Sequence, residues 1–298
     1  MRSRTIAAPF PIDVGRTLWP VRRGVGDPTM RVARGEAVRA SRTPEGHVTA
    51  RFAEVQGGVE VHAWGDGAGW LLEHAPAWVG ALDDDMDFDP PPGPVRDLWR
   101  RHRGVRIPRT GLVTERLIPV ILEQKVTGPE ARRAYRRLAT ALAEPAPGPF
   151  GLSLPPDPVH VAELPYHELH PFGIERRRAE VLRAACARAS RLDAAAELPL
   201  EEARARLGAL KGIGPWTVAE VARTALGDAD AVSVGDFHLP SIVCWALAGD
   251  PRGTDERMLE LLEPYRPHRG RVQRLLMAAH MRAPAHGPRL EARAIDRI

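Results

Sequence analysis

The stretch from Leu207 to Trp245 reads LGALKGIGPWTVAEVARTALGDADAVSVGDFHLPSIVCW, and it concentrates the residue types suited to chemistry. Gly212 and Gly214 bracket Ile213, which predicts a tight turn after a helix that ends near Leu210. Pro215 falls where the first turn of the next helix accepts a proline. The unpaired N–H groups at that helix start form an anion site, and the two glycines let a DNA phosphate approach the backbone closely. The carbonyls of Gly208, Leu210 and Ile213 could converge on a monovalent cation, Na+ or K+. Taken alone, the same text also describes an ordinary αα-hairpin with a glycine turn. Asp236 stands just before Leu239-Pro240-Ser241-Ile242, a predicted helix start, where an acid serves as an N-cap or first-turn residue.

The elements around this stretch fall into two parts. TLWPVRR, EAVRASR, HVTARFAEV and GVEVHAW read as short strands separated by turns such as TPEG and QGG, with a helix predicted from about Ala68 to Leu82. The acidic, proline-rich DDDMDFDPPPGP cannot continue a helix, so it marks a boundary near residues 83–94. Beyond it, apolar residues recur at three- and four-residue steps through VRDLWRRHRG, TERLIPVILEQKVTGPEARRAYRRLATALA, HELHPFGIERRRAEVLRAACARASRL and GRVQRLLMAAHM. The expectation is an α+β chain: an antiparallel β-sheet domain with helices over 1–90, then an all-helical, two-lobed body over 95–298 with the hairpin at 203–226.

Charge and cysteine content narrow the function classes. The first hundred residues hold 12 Arg against 14 Asp and Glu, leaving 30 basic and 24 acidic residues for the rest, so the helical part is the better phosphate-binding candidate. Arg132, Arg133, Arg136 and Arg137, and Arg176, Arg177 and Arg178, could form basic faces, although such runs are usually solvated. The tryptophans Trp19, Trp64, Trp70 and Trp78 read as core residues. Cys186 and Cys244 are too few for a disulfide framework, a zinc site or an iron-sulfur cluster. No run is long enough to cross a bilayer, and the opening MRSRTIAAPFPIDVGR lacks an apolar signal core, so a cytoplasmic, DNA-associated location is expected.

LGALKGIGPWTVAEVA followed about twenty residues later by Asp236-Phe237-His238 resembles the helix-hairpin-helix (HhH-GPD) DNA glycosylases, and within them the alkylpurine, or 3-methyladenine, branch. ILEQKVTGPEARRAYRRL is similar to that family's Gln-x-Val-Ser helix, and YRPHRGRVQRLL to its aromatic-x-Pro-x-Arg segment. The resemblance implies hydrolysis of the N-glycosidic bond of a damaged base flipped from duplex DNA, with Asp236 as the catalytic carboxylate. That chemistry needs a fixed anion, because the departing base leaves oxocarbenium character on the sugar. His238 is expected to orient the segment. Trp216 stands where strand-cutting relatives place a lysine, and the chain's only lysines are Lys125 and Lys211, so water is the implied nucleophile. No organic cofactor and no iron-sulfur cluster are implied.

The resemblance places Gly212, Ile213, Gly214, Pro215, Thr217, Gln124 and Lys125 at the DNA, and Trp216, Glu220 and Met277 at the base pocket. Glu220 and Met277 occupy positions where aromatics would stack on a cationic methylated base. Lys125 replaces an apolar residue that would fill the gap left by the flipped nucleotide. A monomer acting on double-stranded DNA, away from membranes, is expected. Other readings are a non-catalytic hairpin DNA-binding or lesion-sensing protein, a helical scaffold, or a glycosylase for oxidised, deaminated or bulky adducts.

Overall fold

The computed structural model describes residues 1–284. Five strands open the chain: β1 (Arg2–Ala7), β2 (Met30–Ala33), β3 (Glu36–Thr43), β4 (Gly46–Val55) and β5 (Gly58–Trp64). They form one antiparallel sheet in the order β1-β5-β4-β3-β2, with Arg2 opposite Ala63 and Ala7 opposite Gly58 at the edge. In β5, buried Val59, Val61 and Ala63 alternate with half-buried neighbours, the period of a strand with one face on a core. Helix α2 (Ala68–Trp78) covers that face with Leu71, Ala75 and Trp78. Trp78 stacks on Phe52 with ring centroids 5.8 Å apart, and its indole N–H donates to the Thr110 carbonyl at 2.9 Å.

TLWPVRR is not a strand. Val14–Leu18 form α1, and Trp19–Val21 follow as a 3-10 turn. The physical reason is local: Asp13 caps the helix by accepting the Arg16 N–H at 2.7 Å, and Pro20 brings no donor for a sheet ladder. Trp19 is consequently half exposed and outside the core, while Trp78 is buried, Trp70 stacks on His74 and Trp64 packs against Phe150. The sequence pattern does not signal β1 or β2, because β1 buries only Ile6 and β2 is four residues long.

The helices form two cores. The first gathers α4 (Val113–Glu123), α5 (Gly128–Ala141), α6 (Pro158–Glu163), α7 (Tyr166–Leu169), α8 (Arg176–Cys186), α9 (Ala189–Asp193), α10 (Leu200–Gly208) and α11 (Pro215–Val221). Helix α4 runs through its middle with Leu117, Ile118, Val120, Ile121 and Leu122 all buried. The second core joins α3 (Pro94–Arg101) to α12 (Leu239–Ala248), α13 (Asp255–Leu262) and α14 (Arg269–Ala278) through Trp99, Val243, Met258, Leu262, Val272 and Leu276. The chain therefore passes between the lobes twice, at 102–112 and at 227–238, and the later passage carries Asp236.

The acidic stretch follows the turn after α2 and ties the start of α14 to the first passage between the lobes. Asp83 accepts from Arg271 at 2.7 and 2.8 Å, Asp85 accepts from Arg106 at 2.7 and 3.0 Å, and Asp87 lies 2.7 Å from His268. Among the described residues, no helix is long and apolar enough to cross a membrane.

Candidate active site and DNA interface

Helix α10 ends at Gly208, and the turn to α11 is built on Gly212, whose φ of +93° is one that side chains rarely adopt. A Cβ at Gly212 would lie 2.4 Å from Val181 Cγ2, so the turn is seated against α8. Gly214 has ordinary backbone angles and no heavy atom within 4 Å of the position a Cβ would take; it faces open space. The Leu210 carbonyl accepts the Ile213 N–H at 3.0 Å, whereas the Gly208 and Ile213 carbonyls accept no hydrogen bond from the described residues.

Gln124, at the end of α4, fastens this hairpin from below. Its amide donates to the Gly212 carbonyl at 3.0 Å and to the Thr217 hydroxyl at 2.9 Å. Two side chains expected at the DNA are thus spent inside the protein: Thr217 is buried, and Gln124 turns toward the hairpin. Ile213 is buried as well, leaving its backbone for outside contact. Lys125 is exposed, in the left-handed region at φ +55°, between α4 and the capping box of Thr127 and Glu130 that starts α5.

Asp236 serves both lobes. Its Oδ1 accepts the backbone N–H groups of His238 at 2.8 Å and Leu239 at 2.9 Å, capping α12, and its Oδ2 accepts the Trp216 indole N–H at 3.0 Å. The two backbone N–H groups fix Oδ1, and the indole of α11 holds Oδ2. Trp216 and Asp236 are both partly exposed. The His238 side chain is exposed and packs edge-on against Phe237, while its backbone N–H donates to Asp236. Phe237, between them, is 78% exposed.

Glu220 lies one turn beyond Trp216 on the same side of α11, and it is fully engaged. Oε2 accepts from Arg116 at 3.1 Å, and Oε1 accepts from the Ser233 hydroxyl at 2.6 Å and from Arg223. Burial by itself would raise the Glu220 pKa, but Arg223 and the Ser233 hydroxyl outweigh it and hold the carboxyl below its usual range. Gln273 on α14 completes the array: its amide oxygen accepts the Ser233 N–H at 3.2 Å and its nitrogen donates to the Ser233 hydroxyl at 3.1 Å. Such proximity requires Gly270, where a Cβ would stand 2.5 Å from the Ala231 carbonyl oxygen. Met277, one turn on from Gln273, is half exposed.

The sequence does not point to Arg116, Ser233 or Gln273. Only Arg223, three residues after Glu220, carries a signal, as a helical ion-pair spacing. Phe237 carries one too, as an aromatic in a short loop beside a capping acid. Of the basic runs, Arg178 is buried, donating to the carbonyls of Leu122 and Gly173, and so belongs to no surface face. Cys186 and Cys244 are free and buried.

No protein-family model matches the chain. In sequence it is 32% identical over 166 residues to a probable bifunctional transcriptional activator/DNA repair enzyme AlkA of Mycobacterium tuberculosis. That match takes in 55% of this chain and 32% of the relative, so the chain spans about a third of the length of the curated proteins it matches. In structure it is similar to a 3-methyladenine DNA-glycosylase from Archaeoglobus fulgidus, with a TM-score of 0.75, 19% identity, and coverage of 94% of this chain and 98% of that one. It is also similar to the 8-oxoguanine glycosylase/lyase of Clostridium acetobutylicum solved with double-stranded DNA containing cytosine opposite 8-oxoguanine. There the TM-score is 0.68 and the identity 12%, over 93% of this chain and 97% of the other. The chain has the α+β fold of the helix-hairpin-helix DNA glycosylases.

Proposed function

We propose that this chain is a monofunctional DNA glycosylase that removes an alkylated purine from duplex DNA and leaves an abasic site. The observation that carries the reading is Asp236, a partly exposed carboxylate held by two backbone N–H groups and the Trp216 indole beside the hairpin.

The hairpin backbone at Gly212, Ile213, Gly214 and Pro215 holds a phosphate, and the damaged nucleotide turns out of the stack toward Trp216. Flipping costs a few kcal/mol, least where the lesion already weakens stacking. Lys125 enters the gap, its methylenes filling space and its ammonium reaching phosphate or a base edge. As the C1′–N bond breaks, its electron pair leaves with the base, and Asp236 stabilises the positive charge growing on the sugar. Water adds to C1′ and gives Asp236 a proton, which passes to a base that leaves as an anion, or to solvent when a cationic base leaves neutral. Trp216 supplies no amine, so no covalent adduct with the sugar forms at that position.

A monovalent cation at the carbonyls of Gly208, Leu210 and Ile213 would be structural, and the two carbonyls left without donors fit that use. Neither an organic cofactor nor an iron-sulfur cluster enters this scheme. The protein acts as a monomer, on DNA inside the cell.

The test is base release from duplex DNA carrying alkylated purines by the wild type and by Asp236→Asn, with alkali revealing abasic sites. Release that collapses in a folded, DNA-binding variant is the expected result; undiminished release would sink the carboxylate assignment. A borohydride-trapped protein–DNA adduct would overturn the monofunctional part alone.

A further inference from the structure

The turn that carries Lys125 is fastened at both ends. At one end Gln124 holds the hairpin by donating to the Gly212 carbonyl at 3.0 Å. At the other, Arg132 folds back over the first turn of α5, its Nη1 2.9 Å from the position a Cβ would take at Gly128. The stem of Arg132 runs along Gly24 of the sheet domain, where a Cβ would stand 2.5 Å from Cδ, and Arg136 crosses Gly26, with Nη1 2.9 Å from the same position there. The loop 22–27 is thereby laid along α5, and the Val25 carbonyl accepts from Arg22 at 3.1 Å, which holds its tip. The Val25 side chain, between the two glycines, is 89% exposed.

Arg132 and Arg136 are exposed, one helical turn apart (about 6 Å along the axis), and neither makes a hydrogen bond or an ion pair among the described residues. Residues 22–27 and 123–141 together carry seven cationic side chains and three carboxylates, so this surface is positive. The three carboxylates are also committed inside the fold. Glu123 feels Arg132 but pairs with Arg23 at 3.1 Å. Asp27 is buried and accepts the backbone N–H groups of Arg23 at 2.7 Å and Thr29 at 2.9 Å. Glu130 is buried in the capping box with Thr127. Two exposed guanidinium groups seated on glycines, with no acid set against them, add little to the fold and suit an anionic partner from outside.

Resting on the glycosylase reading above, we propose that Arg132, Arg136 and the Val25 tip form a second DNA-backbone contact, which brings the sheet domain into the DNA interface. The two guanidinium groups donate to phosphate oxygens, a geometry their planar forks fit. Val25 packs on the deoxyribose between them. Such a contact reads no bases; it sets the position of the duplex. Its place explains its use: the hairpin holds the backbone at one end of the 124–128 turn and this ledge holds it at the other, so Lys125 enters a duplex gripped on both flanks.

The experiment measures binding of the full chain, across a range of salt, to a duplex of about 20 base pairs, two helical turns, with one stable abasic-site analogue at its centre. Val25→Glu alters an exposed tip and sets a like charge against phosphate, so affinity is expected to fall about fivefold or more. Val25→Lys is expected to steepen the fall of log affinity with log salt by about 0.9. Arg132→Gln combined with Arg136→Gln is expected to make that slope shallower by about 1.8, whereas lysine at both positions keeps it. Folded Val25→Glu and double-glutamine proteins that bind with the wild-type affinity and slope overturn the ledge, and with base release intact they leave the glycosylase reading standing. Binding that responds as expected in a protein that frees no base upholds the ledge and overturns the glycosylase reading.

Discussion

Trp216 and Asp236, twenty positions apart in sequence, are joined by one hydrogen bond of 3.0 Å from the indole Nε1 to Oδ2. The other carboxylate oxygen is committed to two backbone N–H groups, so the indole is the side-chain contact that sets how Oδ2 faces the site. In the proposed reaction one ring therefore has two uses: it walls the space for a base, and it aims the carboxylate.

Trp216→Phe keeps an aromatic wall and removes the donor. Base release is expected to fall about tenfold, near the worth of one charge-assisted hydrogen bond, with DNA affinity changed little. A loss confined to binding would show that the ring, and not its N–H, carries the contribution.

The two hairpin glycines should separate fold from binding. Gly212→Val puts a β-branched side chain at φ +93° and into Val181, so it is expected to lower stability by a few kcal/mol in urea unfolding. Gly214→Val meets open space in the free protein and should leave the unfolding midpoint nearly unchanged. Its cost should appear only against DNA, as weaker binding with a shallower salt dependence. Equal behaviour of the two variants would contradict the proposed phosphate contact at Gly214.

Asp83 accepts from the buried Arg271 and lies 3.5 Å from the buried Arg106. Asp83→Asn removes the carboxylate that pairs with buried Arg271, while Arg106 keeps Asp85, and a loss of about 3–5 kcal/mol is expected. A change under about 1 kcal/mol in urea unfolding would mean that the clamp contributes little beyond its geometry.

Glu220 is held below the usual carboxylate range, so it adds stability above that range and the contribution is lost as pH falls through its folded value. Burial raises Glu123 against the pull of Arg23, which gives the opposite slope. The two must be separated by difference. The stability gap between the wild type and Glu220→Gln should be largest near neutral pH and close as the solution is acidified. A gap independent of pH would show that Glu220 acts through packing alone.

Much of this was legible along the chain. The division into a β-rich part and a helical body follows from local periodicity. The hairpin follows from GIGP, because turn and helix-start chemistry are decided within a few residues. The capping position of Asp236 follows from the helix start at Leu239. Where such local rules compete, the stronger one decides, as at Val14–Leu18, where the Asp13 cap makes a helix of an apparent strand.

The direction of Glu220 is of another kind. Its partner Arg116 is 104 positions away on α4, and its partner Ser233 is held in turn by Gln273 on α14. The Asp83–Arg271 clamp spans 188 positions. Sequence by itself determined the turn and the cap, whose geometry is set by neighbours along the backbone. Only the tertiary structure decided the charge around Glu220, because a side chain's field is made by whichever groups the fold brings within a few ångströms, at any distance along the chain.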